Sequence, residues 1–181
     1  MSKNQYQYAK ELARRVLLES GAHGLPVSVS HVCRRFGIDA RIMILDAGND
    51  GFCQMEDGIP YILVDPSRSI QRQRFTVAHE IGHVMSGHIG PFLWADTYEP
   101  TIAVQEREAS IFAAELLMPE CVLLHLGVST AAEIQRICNV SYPAAFVQLK
   151  QMQKRYTQSV SMSVRERELC ARFCLSSTNK R

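Results

Sequence analysis

The pentad His79-Glu80-Ile81-Gly82-His83 constrains this chain more than any other stretch. It lies in an apolar-periodic segment where Phe75, Ala78, Ile81, Gly82 and Met85 form one apolar side, so the spacing predicts a central, buried helix. On a helix, residues four apart are offset by about 40° in azimuth and about 6 Å along the axis, so both imidazoles project from one face. Such a pair suits two nitrogen ligands of one tetrahedral Zn2+. Glu80 is turned by about 100° from His79. That keeps it off the metal but within reach, as a general base, of water activated there. Two histidines on a buried helix without such a use would be expensive polar groups to bury.

A catalytic zinc takes three protein ligands and leaves the fourth position to water. The pattern HExxHxxGxxH, which would supply a third histidine, is missing, because Gly87 and His88 stand at other offsets. The remaining source is a glutamate from a later helix, predicted from about residue 102 to 118 and interrupted by Pro119. Glu99 falls in a proline-bearing loop and Glu115 falls late in that helix, which leaves Glu106 and Glu108. Below Glu106 run Ala109, Ser110, Ala113, Ala114 and Leu117, a stripe of mostly small residues that lets this helix approach the first closely. Below Glu108 the stripe is bulkier, with Ile111, Phe112, Glu115 and Leu116. Glu106 is therefore the expected third ligand, and Glu108 reads as a solvated helix charge. For a donor that stabilises an oxyanion, the candidates are Tyr98, in the loop between the two long helices, and His88, just past the first.

Around these two helices the chain reads as an α+β fold. Its 181 residues are 46% apolar and 21% charged, enough to bury a sizeable core, which excludes a disordered chain. An amphipathic helix is predicted over 9–18 and a short one over 29–36. Strands are predicted over 38–45, 52–55 and 59–64, with Asp57-Gly58 as a hairpin turn, and together they suggest a small antiparallel meander. Beyond Gly127, two helical patterns flank Asn139-Val140-Ser141, the first opened by a capping box of Thr130 and Glu133, the second by Ser141 as N-cap. The expected organisation is a catalytic unit over 1–126, a small helix-turn-helix-like unit over 127–156 packed on it, and a basic tail over 157–181.

Net charge is +2, which neither favours nor excludes nucleic acid, although residues 150–181 hold eight Lys/Arg against two Asp/Glu. The second helix of the 127–156 unit opens on Tyr142-Pro143-Ala144-Ala145-Phe146, which offers few donors to base edges, so direct nucleic-acid reading is discounted. No apolar run approaches the length of a membrane span, and the N-terminus lacks the apolar centre of a secretory signal. Six scattered cysteines without a CxxC pair read as free thiols in a reducing compartment, so the expected location is cytoplasmic.

Taken together, the stretch Arg74-Phe75-Thr76-Val77-Ala78-His79-Glu80-Ile81-Gly82-His83 and the run from Glu106 to Pro119 make the chain resemble the ImmA/IrrE family of zinc metallopeptidases. The likeness covers roughly residues 9–155. It implies a zincin core of the thermolysin-like (gluzincin) order, one Zn2+ per chain on His79, His83 and Glu106, and Glu80 as base. It also implies a role as an anti-repressor protease that cuts a helix-turn-helix transcriptional repressor. The family pattern has Asn or Asp where this chain has Ser110, a position the resemblance assigns to orienting a ligand histidine. The competing expectation, toward which Ser110 leans, is a catalytically weak zinc-containing regulatory module that binds a transcription factor or DNA.

Overall fold

The structure is a computed structural model that describes residues 3–46, 48–89, 101–157 and 161–175. Eight helices and three strands are present among these residues, in the order α1 (Lys3–Ser20), α2 (Val29–Arg35), β1 (Asp39–Ile42), β2 (Gly51–Glu56), β3 (Ile59–Val64), α3 (Ile70–Met85), α4 (Ile102–Leu117), α5 (Glu120–His125), α6 (Ala131–Cys138), α7 (Tyr142–Thr157) and α8 (Val164–Leu175). None of these helices is long and apolar enough to cross a membrane.

The sheet departs from the expected meander. Its strand order is β1-β3-β2, with β1 parallel to β3 and β2 antiparallel to it. The reason lies in the composition of the strands. Apolar β3 buries Ile62 and Val64 on one face and half-buries Tyr61 and Leu63 on the other, so it takes the centre. The Asp39-Ala40-Arg41-Ile42 strand has only one half-buried residue and settles at an edge. The Asp57-Gly58 turn, both residues at positive φ, then returns β3 alongside β2 as expected.

Helices α3 and α4 form the centre of the molecule, and the small-residue stripe on α4 is what brings them together. A Cβ placed on Gly82 would lie 3.1 Å from the Ala109 Cα and 3.2 Å from its carbonyl oxygen. The α4 backbone therefore rests directly on α3 at this level. Strand β2 is pressed against α3 in the same way, because a Cβ on Gly51 would meet the Thr76 methyl and the Leu63 carbonyl. Ser69 caps the start of α3 by accepting from the Arg72 N–H.

The remaining helices are held by buried polar links as well as by apolar packing. Arg74 of α3 donates to the carbonyls of Val27, Cys138 and Asn139, and Gln71 donates to the Asn139 side chain, which ties the end of α6 to α3. The Thr130–Glu133 capping box and the Ser141 contact with the Ala144 N–H are both present.

Residues 164–175, within the segment read as a basic tail, form α8, which packs against α1 and α5 and buries Leu169, Cys170 and Phe173. A buried cluster pins it there. Arg14 of α1 bridges Glu115 of α4 at 2.7 Å and Glu166 of α8 at 2.8 Å, while Lys10 pairs with Glu120 of α5. The two carboxylate partners raise Arg14 above its ordinary pKa despite burial, so it remains a cation.

Gly82→Ala tests the helix contact by its sign. In an open helix the change stabilises by about 0.5–1 kcal/mol. Here the added methyl pushes on backbone, and a net loss of about 1 kcal/mol or more is expected in urea unfolding. A gain in stability would show that the helices are not in this contact.

Candidate metal centre

Both histidines arise from the local geometry of α3, one turn apart on the face turned toward α4. Their Nε2 atoms lie 3.1 Å from each other. Glu106, in the second turn of α4, reaches them from the opposite side, with Oε2 at 3.2 Å from His79 Nε2 and Oε1 at 3.3 Å from His83 Nε2. Among the described residues these three form a group able to hold a metal ion. The fit is close: a tetrahedral ion with bonds of about 2.0–2.1 Å spaces its ligand atoms about 3.3–3.4 Å apart. The donor set is also chemically suitable, since burial lowers both histidines below their ordinary pKa and keeps them as neutral imidazoles with free lone pairs. Glu106, 58% exposed in its side chain, would supply the oxygen donor.

Glu80 is buried against β2 beside this group. Burial is the main cause that raises its carboxyl to about 7, the Glu106 charge adds to it, and the Cys53 backbone N–H pulls partly the other way. A carboxyl poised near neutrality can both take and return a proton. The site opens into a cleft of about 660 Å³, lined on the strand side by Gly51, Phe52 and Cys53 and on the helix side by Phe75, Thr76 and Gln105. Ser110 Oγ lies 3.3 Å from His79 Nδ1.

His88 stands in the cleft wall, and its two nitrogens are engaged by protein groups. Nδ1 lies 3.1 Å from His83 Nδ1, and Nε2 lies 3.4 Å from Glu108 Oε2. Tyr98 lies outside the described residues. Glu108 corrects the expectation of a solvated charge, because it is only 6% exposed and burial raises its pKa. The bulky stripe that argued against it as a ligand is the reason. Phe112 and Leu116 go into the core, and that face of α4 carries Glu108 inward with them.

The pairing of His88 with Glu108 had only one sequence signal, Gly87. At φ +70° this glycine closes α3 with the His88 N–H bonded to the His83 carbonyl and its own N–H to that of Val84. This turn folds His88 back over His83.

In protein stripped of metal, Glu80 sets a testable pH dependence. Its folded pKa is raised from the ordinary 4.5 to about 7, so its contribution to stability is full below pH 4.5 and is lost as pH rises through about 7. Glutamine does not ionise. In chelator, the stability of Glu80→Gln relative to wild type should therefore rise by about 3 kcal/mol between pH 4.5 and pH 8. A difference that stays flat over this range would show that the carboxyl is not perturbed.

A family model described as the IrrE N-terminal-like domain, peptidase M78, matches residues 33–150, from the end of α2 into α7. No curated protein gives a match to the chain.

Proposed function

The chain belongs to the peptidase M78 family, and on that premise we propose that it is a zinc-dependent endopeptidase acting on one specific protein partner, a helix-turn-helix repressor. The observation that carries the proposal is the triangle of His79, His83 and Glu106 donor atoms at 3.1–3.3 Å, with the buried Glu80 carboxyl beside it. Two imidazoles and one carboxylate are a donor set of catalytic zinc sites, and these residues would hold one Zn2+ per chain. Bound there, zinc supplies Lewis acidity toward a peptide carbonyl and toward water.

The protein's own residues do the rest. Glu80 takes the proton of the attacking water and then returns it to the leaving amine nitrogen, a cycle favoured by a carboxyl held near neutrality by burial. Ser110 steadies the His79 ring through Nδ1. Strand β2 pairs with β3 along one edge, and its residues 51–53 line the cleft. The substrate chain adds there as a further strand, so that backbone hydrogen bonds supply affinity whatever its side chains. The resemblance supports a repressor as substrate, and the six free cysteines support the cytoplasm as location.

The test mixes a candidate helix-turn-helix repressor, such as one encoded next to this chain's gene if there is one, with wild type and with Glu80→Gln at matched zinc. Wild type should cut it, and Glu80→Gln should keep the metal while cutting about 100-fold more slowly or less. Equal binding with no cut product from either, at stoichiometric enzyme over hours, would overturn the peptidase in favour of a binding module.

A further inference from the structure

We propose that Glu108 and His88 are positioning residues that fix the proton of His83, so that its Nε2 lone pair faces the metal position. The proposal rests on the reading of His83 as a ligand. Its Nε2 is the atom turned toward His79 and Glu106, at 3.1 and 3.3 Å. A neutral imidazole carries one N–H, so an Nε2 free to bind metal requires the proton on Nδ1. That Nδ1 lies 3.1 Å from His88 Nδ1, and one of the two must donate to the other. If His88 donates, the His83 proton is forced onto Nε2, where it blocks the ligand position. If His83 donates, the His88 proton sits on Nε2, facing the Glu108 oxygen at 3.4 Å. At this ion-pair distance the Glu108 carboxylate favours an N–H on the nitrogen that faces it and offers no proton of its own, so it selects the second arrangement.

Burial makes this selection effective. The His88 and Glu108 side chains are 5% and 8% exposed, so water is a poor substitute for either partner. The positions come from the backbone: the Gly87 turn folds His88 onto His83, and α4, which delivers Glu106, brings Glu108 from the same helix.

The two histidines of the site are therefore supported differently. His79 has an uncharged hydroxyl at its Nδ1, that of Ser110, at 3.3 Å. His83 has a carboxylate at one remove. The chain of Glu108, His88 and His83 gives the site the negative outer group that makes a ligand imidazole more basic.

The experiment uses full-length protein with 15N-labelled histidine, with Zn2+ alone as probe. Wild type, Glu108→Gln, His88→Phe and the double variant are compared. Nitrogen chemical shifts of metal-free protein report which His83 nitrogen carries the proton, and competition with a chelator reports zinc affinity. Wild type should show a single Nδ1–H form of His83. A glutamine can donate or accept, so Glu108→Gln should give a mixture of forms and weaken zinc binding by about 10–100-fold. His88→Phe should weaken it comparably, and the double variant should be no weaker than His88→Phe alone, because both act through one chain. Should Glu108→Gln fail to fold, His88→Phe gives the same two readouts.

An unmoved His83 tautomer overturns the proposal, even when affinity falls, since packing alone would produce that result. Zinc affinity within about threefold of wild type in both single variants also overturns it. Loss of zinc in His83→Ala separates the two readings, because full retention there would remove His83 as a ligand altogether.

Discussion

The approach of α4 to α3 at Gly82 governs everything else in this molecule. Only a residue without a side chain lets the Ala109 backbone settle against the last turn of α3, one residue before His83. From that contact Glu106 lies one helical turn back along α4, and its carboxylate reaches both imidazoles at once. A bulkier pair at this crossing would force the helices apart. That would take the carboxylate beyond the about 3.3 Å spacing a tetrahedral ion imposes on its ligands.

The scaffold resists such separation from the far end of the same helix. Glu115, nine residues after Glu106, is buried with Lys10 and Arg14, which also reach Glu120 and Glu166. A buried ionic cluster of this kind adds little net stability against an apolar alternative, because the desolvation cost is large. Its value is directional: removing one partner leaves an uncompensated buried charge, so α1, α4, α5 and α8 must assemble in one register. At the cleft end, burial has a chemical consequence. It holds the histidines neutral and brings the Glu80 carboxyl close to neutrality. The same desolvation thus acts on both histidines and on Glu80, the groups that the proposed hydrolysis would use.

Much of this arrangement is legible in the residues themselves, because helical periodicity is a local property. The four-residue interval of His79 and His83 places them on one face, and the small side chains at Ala109 and Ala113 announce a close crossing. What is not local escapes such reading. Strand order depends on which strand has two apolar faces to bury, so β3 displaces β2 from the centre. Glu108 looks like a surface charge until the three-dimensional path of Gly87 brings His88 to it. Helix α8 is masked by its alternation of arginine and glutamate, whose partners Arg14 and Glu11 lie more than 150 residues away.

On the proposed reading, two imidazoles and one carboxylate of this chain hold a single zinc. X-ray absorption at the zinc edge, on protein loaded with one equivalent, tests it most directly. The first shell should be nitrogen and oxygen alone at about 2.0–2.1 Å, with the outer scattering of two imidazoles. That outer scattering should fall by half in His79→Ala. Sulfur at about 2.3 Å, contributed by any of the six free cysteines, or a spectrum unchanged in His79→Ala, would contradict it.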